Sequence, residues 1–253
     1  MGQRKALLKL ANRLLAPLGA SIVGRWGLFS NYIPLAQTER EARRAGMSIG
    51  DYFDTKNNYP GATKETIDRA ATFGVFERSV SRICEIGPGS GRYLEKVKER
   101  CPGALYEIYE TADDWKRRLV RQYGVTARET DGRTLAQTPD GAVDIIHAHR
   151  VFEGLPVMTC LQYFEEAGRV MRPGGWFFFD VLTEECLTPE LTRSWIDSGW
   201  NWIVSMFPKR FLVERMKQLG LDCRGSFILP MRPGVGEYMI FQKPESPHLK
   251  VPM

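Results

Sequence analysis

Glu85-Ile86-Gly87-Pro88-Gly89-Ser90-Gly91 places three glycines at alternate positions, directly after the apolar run 80–86 and directly before Arg92-Tyr93-Leu94-Glu95-Lys96-Val97. The run reads as a buried strand and its continuation as a helix, so the glycines occupy a strand-to-helix turn. Glycine tolerates positive φ there and lets a ligand approach the backbone. The spacing separates two kinds of nucleoside ligand. A dinucleotide turn needs G-x-G-x-x-G, whose third glycine would fall at Arg92; here it falls at Gly91. A tight βα turn that holds no ligand is the plainer reading of a lone glycine motif, and the rest of the chain has to decide.

From residue 79 onward, strand-like and helix-like segments alternate. Strands are predicted over 82–86, 105–109, 125–128, 143–148, 175–181, 223–229 and 237–242, with helices over 91–100, 112–123, 157–171 and about 206–219. Alternation of this kind implies an α/β fold, a doubly wound and mostly parallel seven-stranded sheet covered on both faces. Arg172-Pro173-Gly174-Gly175 marks a helix stop before the apolar Trp176-Phe177-Phe178-Phe179. The loop 230–236 is too short for a helical crossover, so the last strand is expected to run antiparallel. Residues 1–75 read as an N-terminal helical extension and substrate cap, 76–245 as the ligand-binding domain and 246–253 as a tail.

Five scattered cysteines with no C-x-x-C pair argue for reduced thiols in a cytoplasm and against a disulfide scaffold or a zinc site. The net charge of +5 is matched by Arg4, Lys5, Lys9, Arg13 and Arg25, while residues 1–37 contain no acid. The remainder is close to neutral, which does not suit a nucleic-acid groove. Residues 4–18 fit an amphipathic helix with Leu7, Ala11, Leu14, Leu15 and Leu18 on one face and Lys5, Lys9 and Arg13 opposite. Two readings stay open for it: packing on its own domain or a twin subunit as a homodimer, and peripheral contact with an anionic membrane surface.

Ligands of doubly wound sheets sit at the carboxyl ends of the strands. Glu110 closes the second strand about 20 residues after the glycine turn, the distance at which an acid accepts from ribose hydroxyls. Thr111 follows it. Asp131-Gly132 follows the third strand, where Asp131 is placed to accept from an adenine amino group. After the fourth strand the chain reads His147-Ala148-His149-Arg150-Val151-Phe152-Glu153-Gly154.

The order of these landmarks resembles the class I S-adenosylmethionine-dependent methyltransferase family, of the small-molecule or sugar-modifying type. Glu85 to Gly91 matches its E-x-G-x-G-x-G motif, the segment after strand four its motif IV, and Arg172 to Gly175 its R-P-G-G turn. The resemblance covers residues 80–182 most specifically. It implies S-adenosylmethionine as cofactor, with Glu85, Gly87, Gly89 and Gly91 shaping the methionine end, Glu110 and Thr111 near the ribose, Asp131 and Gly132 near the adenine, and Ala148 and His149 beside the sulfonium. Arg92 is expected to meet the cofactor carboxylate. Gly154 stands where many members have histidine, so that histidine's role does not carry over.

Methyl transfer is an in-line displacement in which the protein mainly aligns two reactants. His149, His147 and Glu153 are the candidates for a proton acceptor, with a structural histidine or a helix-start glutamate as the plainer reading of each. Arg150, Tyr52 and Tyr59 are candidates for the acceptor side, and Trp200 or Trp202 for an aromatic lid. No N-P-P-Y quartet is present, so the expected reaction is methylation of a small molecule or glycan, at oxygen. The competing readings are a non-catalytic binding subunit on the same fold and a nicotinamide oxidoreductase, the latter disfavoured by Arg92 in the third-glycine position.

Overall fold

The computed structural model describes residues 33–198, 204–231 and 234–245. The expected N-terminal helix over 4–18, Trp200 and Trp202 lie outside the described residues. Two compact units meet in sequence between Tyr52 and Phe53. The first holds α1 (Leu35–Arg44) and the start of α2 (Ile49–Asn57). Inside it, the Tyr52 hydroxyl donates to the Glu41 carboxylate.

The second unit follows with α3 (Ala62–Ala71), β1 (Arg82–Ile86), α4 (Arg92–Arg100), β2 (Leu105–Tyr109), α5 (Asp113–Tyr123), β3 (Thr126–Ala127), β4 (Val143–Ala148), α6 (Val157–Val170), β5 (Met171–Val181), α7 (Pro189–Ser198), α8 (Lys209–Gln218), β6 (Asp222–Met231) and β7 (Gly234–Gln242). The strands form one seven-stranded sheet in the order β3-β2-β1-β4-β5-β7-β6. β1 to β5 pair in parallel, and β7 runs antiparallel to both β5 and β6. The expected α/β sheet with an antiparallel last strand is therefore the observed one. Its order reverses between β1 and β4, so the ends of those two strands flank the crevice where ligands of such sheets bind.

Side chains of successive strand residues face opposite layers. Ile86, Ile146, Ala148, Phe177 and Phe179 join a core under α6 and α8 with Phe164 and Leu212, whereas Ile83, Ile145 and Phe178 join a second core with Tyr93, Leu94 and Ile67. This double burial explains the near-continuous apolar runs that made the strands legible.

Three details differ from expectation. β5 starts at Met171 rather than 175, because Met171 already pairs with Val143 before the register slips and Trp176 pairs with Ile145. Residues 172–175 bulge out of the ladder; at Gly175 a Cβ would sit 2.6 Å from Met171 Cγ and 2.9 Å from the Arg172 carbonyl oxygen. β3 shrinks to two residues at the sheet edge, bonded only to β2. Helix α7 is an addition that the sequence pattern did not disclose. Among the described residues, no helix is long and apolar enough to cross a membrane.

Candidate functional site

The glycine turn joins β1 to α4 with all three glycines at positive φ: 64° at Gly87, 50° at Gly89 and 79° at Gly91. Gly87 and Gly91 are packed from within the protein, since a Cβ would fall 2.7 Å from Val151 Cγ2 at the first and 2.4 Å from Leu119 Cδ2 at the second. Gly89 is different. No atom of the described residues lies within 4 Å of its Cβ position, so among them the backbone there fronts open space.

Glu110, just past β2, braces that spot. One carboxylate oxygen accepts the Gly89 N–H at 2.9 Å and the other accepts the Ala112 N–H at 2.8 Å. Burial raises its pKa, opposed by the bonds from Ala112, Gly89 and Thr111. Each oxygen has a second lone-pair direction, which suits a ligand's vicinal hydroxyls. The Thr111 methyl lies 3.9 Å from the Cβ position of Gly132, so the loops after β2 and β3 meet beside the turn. Asp131 is exposed there. Partial burial raises its pKa, but bonds from the N–H groups of Arg133 at 2.9 Å and Thr134 at 2.8 Å outweigh that and hold it low. Those bonds organise its own loop.

Behind the turn, Glu85 belongs to a closed polar cluster. The Tyr106 hydroxyl donates to Glu85 at 2.8 Å and lies 2.6 Å from His147 Nε2; His147 is fully buried and stacked on Phe178. Burial pushes Glu85 up to about 8 and His147 well below the usual histidine value. Folded Glu85 thus keeps a proton that the unfolded chain releases near 4.5, so it weakens stability as pH rises from 4.5 to about 8. Glu153, raised to about 7 by burial and the nearby Asp180, acts in the same direction. His147 and His149, both lowered by burial, act oppositely below 6.5, where only the unfolded chain protonates them. Above 6.5 only the buried carboxyl groups still act. Stability is therefore expected to fall between pH 6.5 and 8, by as much as ~1.4 kcal/mol per pH unit from Glu85. Glu85→Gln should flatten that fall in thermal melts; an unaltered slope would place its origin elsewhere.

The end of β4 carries the other candidates. Ala148 is fully buried between Ile86 and Phe179 in the ladder. His149 is buried and stacked on Tyr93, with ring centroids 3.9 Å apart, and neither ring nitrogen makes a hydrogen bond among the described residues. Its Nδ1 faces Asp180 Oδ1 at 3.7 Å. Arg150 has the left-handed φ of 61°, donates its N–H to Asp180 at 2.8 Å and pairs through Nε with Glu153 at 2.9 Å. The Glu153 carbonyl in turn accepts the N–H groups of Val204 and Ser205, tying this loop to the segment after α7.

Two candidates are turned to other partners. Arg92, 9% exposed, forms a buried ion pair with Asp54 of α2 at 2.8 Å. Tyr59 donates to Glu65 at 2.8 Å. Asp180, Tyr106 and Asp54 were missed from sequence. Asp180 had a readable signal, an acid closing an apolar strand as Glu110 does.

An open cleft of about 520 Å³ lined by Phe73, Trp176, Arg224 and Gln242 lies at the start of β5 and the end of β7. That is toward the opposite end of the strands from the glycine turn, so the polar groups above, not this cleft, locate the candidate site.

The sequence profile of a family described as "Methyltransferase domain" matches residues 56–224. The chain belongs to that family, the class I S-adenosylmethionine-dependent methyltransferases. Over 104 residues this methyltransferase is 30% identical to the trans-aconitate 2-methyltransferase of Mycolicibacterium gilvum; the match covers 41% of this chain and 39% of that relative. The match thus spans about two-fifths of that relative's length. Solved structures with the same fold include an O-methyltransferase family protein from Burkholderia thailandensis, with TM-score 0.56, 17% identity and coverage of 97% of this chain and 86% of that one. A geranyl diphosphate C-methyltransferase from Streptomyces coelicolor A3(2), solved with S-adenosyl-L-homocysteine, gives TM-score 0.55 at 13% identity over 71% and 81%. The [4+2]-cyclase SpnF gives 0.58 at 14% identity over 74% and 83%, so the fold of the methyltransferase domain also accompanies a different reaction.

Proposed function

We propose that the protein transfers the methyl group of S-adenosylmethionine to an oxygen of a small molecule or glycan. The observation that carries this reading is the Glu110 carboxylate held by the Gly89 and Ala112 N–H groups beside a glycine that fronts open space. A buried acid facing an open turn fits an adenosine-type ligand: Glu110 takes the ribose hydroxyls, Gly89 admits the ligand to the backbone, and Thr111, Asp131 and Gly132 border the base. Glu85, Gly87 and Gly91 hold the turn from behind rather than by contact. When bound, S-adenosylmethionine supplies an electrophilic methyl on a sulfonium.

The chain's own part is to bind, orient and move a proton. His149 stays neutral because burial disfavours its charged form, and its Nε2 has no partner among the described residues, so it is free to accept the proton of a hydroxyl acceptor. His147 is enclosed by Tyr106 and Phe178 and serves Glu85 instead. Glu153 and Arg150 neutralise one another and shape the loop from which an acceptor is reached. Within the second unit, residues 53–75 with Tyr59 are assigned to the acceptor side. A small acceptor agrees with the relative named for trans-aconitate. The test is transfer of labelled methyl from S-adenosylmethionine to a panel of hydroxy acids, phenols, sugars and trans-aconitate. Labelled oxygen-linked products support the reading, and product on nitrogen or carbon alone contradicts its oxygen assignment.

A further inference from the structure

His149 sits in a tight enclosure at the end of β4. Tyr93 of α4 stacks on its ring at 3.9 Å, while Phe178 of β5 and Tyr238 of β7 lie 5.4 Å and 6.0 Å from it between centroids. These walls limit ring rotation. Of its two nitrogens, Nδ1 faces Asp180 Oδ1 at 3.7 Å, whereas Nε2 is buried without a partner among the described residues. The same Asp180 oxygen takes the Arg150 N–H at 2.8 Å, at the one described non-glycine residue with positive φ. Asp180 is itself 1% exposed. A carboxylate so placed fixes both the direction of the strand end and the neighbour that Nδ1 sees.

We propose that Asp180 is a positioning residue that holds the Nδ1–H tautomer of His149 and thereby leaves the Nε2 lone pair to accept the acceptor's proton. In a buried site, a ring N–H pointing at a carboxylate is favoured over a lone pair pointing at it. The other groups facing the ring are the Arg92 guanidinium and Tyr93 from α4, His147 from β4 and Tyr238 from β7. Arg92 opposes protonation of His149 and Asp180 favours it; the two tyrosines stay neutral because burial raises them. The acceptor's proton passes to Nε2, the electron pair it leaves on oxygen forms the new bond to the methyl carbon, and the carbon–sulfur pair goes to sulfur. The resulting imidazolium faces the Asp180 carboxylate and returns its proton to water.

This inference rests on the methyl-transfer reading, but its first test needs no acceptor. Only three histidines occur in the chain, so their ring resonances in nitrogen-15-labelled protein are readily assigned. Unliganded wild-type protein should show His149 as the Nδ1–H tautomer. Asp180→Asn should admit the Nε2–H form and lower the His149 titration midpoint by about one pH unit or more, and Asp180→Glu should restore the wild-type tautomer. Both variants should still bind S-adenosylhomocysteine, which shows that the fold is intact. An Nε2–H His149 in the wild type overturns the proposal whatever the variants do, as does an unchanged tautomer in Asp180→Asn. Failure of the wild type to bind S-adenosylhomocysteine is a separate result that overturns the methyl-transfer reading and leaves the tautomer assignment standing.

Discussion

Asp54→Ala is expected to lower stability by about 3–5 kcal/mol, because it leaves the Arg92 guanidinium buried without its counter-charge. For a domain of this size that is a fall of roughly 10 °C in melting temperature. Arg92 and Asp54 side chains are 9% and 5% exposed, so water cannot replace the lost partner. Asp54 also accepts the Thr63 N–H at 3.0 Å and the Thr63 hydroxyl at 2.6 Å, which fix the start of α3. The loss belongs to the unpaired charge more than to the pair itself. Asp54→Ala combined with Arg92→Leu should therefore recover part of the stability, since an apolar replacement of both partners avoids the uncompensated charge. A thermal or denaturant melt of the single and double variants checks this. A cost for Asp54→Ala of no more than about 1 kcal/mol, typical of a solvated pair, would contradict the burial.

The second large effect is on binding. Gly89→Asp should abolish cofactor affinity while sparing the fold. The added Cβ meets no atom of the described residues within 4 Å, and aspartate tolerates the left-handed backbone better than most residues. The new carboxylate would stand beside Glu110, whose oxygen is 2.9 Å from the Gly89 nitrogen, and would fill the space that the ligand needs. Filling that space excludes the ligand sterically, and a loss of affinity on the order of 100-fold or more, about 2.8 kcal/mol, is expected. Calorimetric titration with S-adenosylhomocysteine, beside a melt of the same variant, separates binding from folding. Wild-type affinity in a folded Gly89→Asp protein would place the ligand elsewhere.

Much of this was legible in the sequence because the signals are local. The apolar strand runs, the glycine spacing and the acid ending β2 each follow from what a few consecutive residues must do, and all recur in the structure. The sheet's antiparallel last strand followed from one short loop. What escaped reading depends on residues far apart in the chain. The Tyr106–Glu85–His147 cluster needs three neighbouring strands in register, and the Asp54–Arg92 pair joins positions 38 residues apart. Asp180 is intermediate: its place at the end of an apolar strand was visible, but its contacts with His149 and Arg150 arise only once β4 and β5 pair. The early start of β5 escaped because a bulge spends four residues without changing the pattern of apolar side chains on either side.

Binding of S-adenosylhomocysteine compared with NAD, by calorimetry on the wild-type protein, tests the central claim most directly. The geometry of Gly89 and Glu110 predicts saturable one-site binding of S-adenosylhomocysteine and none of NAD, whose turn would need a glycine in place of Arg92. Tight binding of NAD with no heat from S-adenosylhomocysteine would contradict the account.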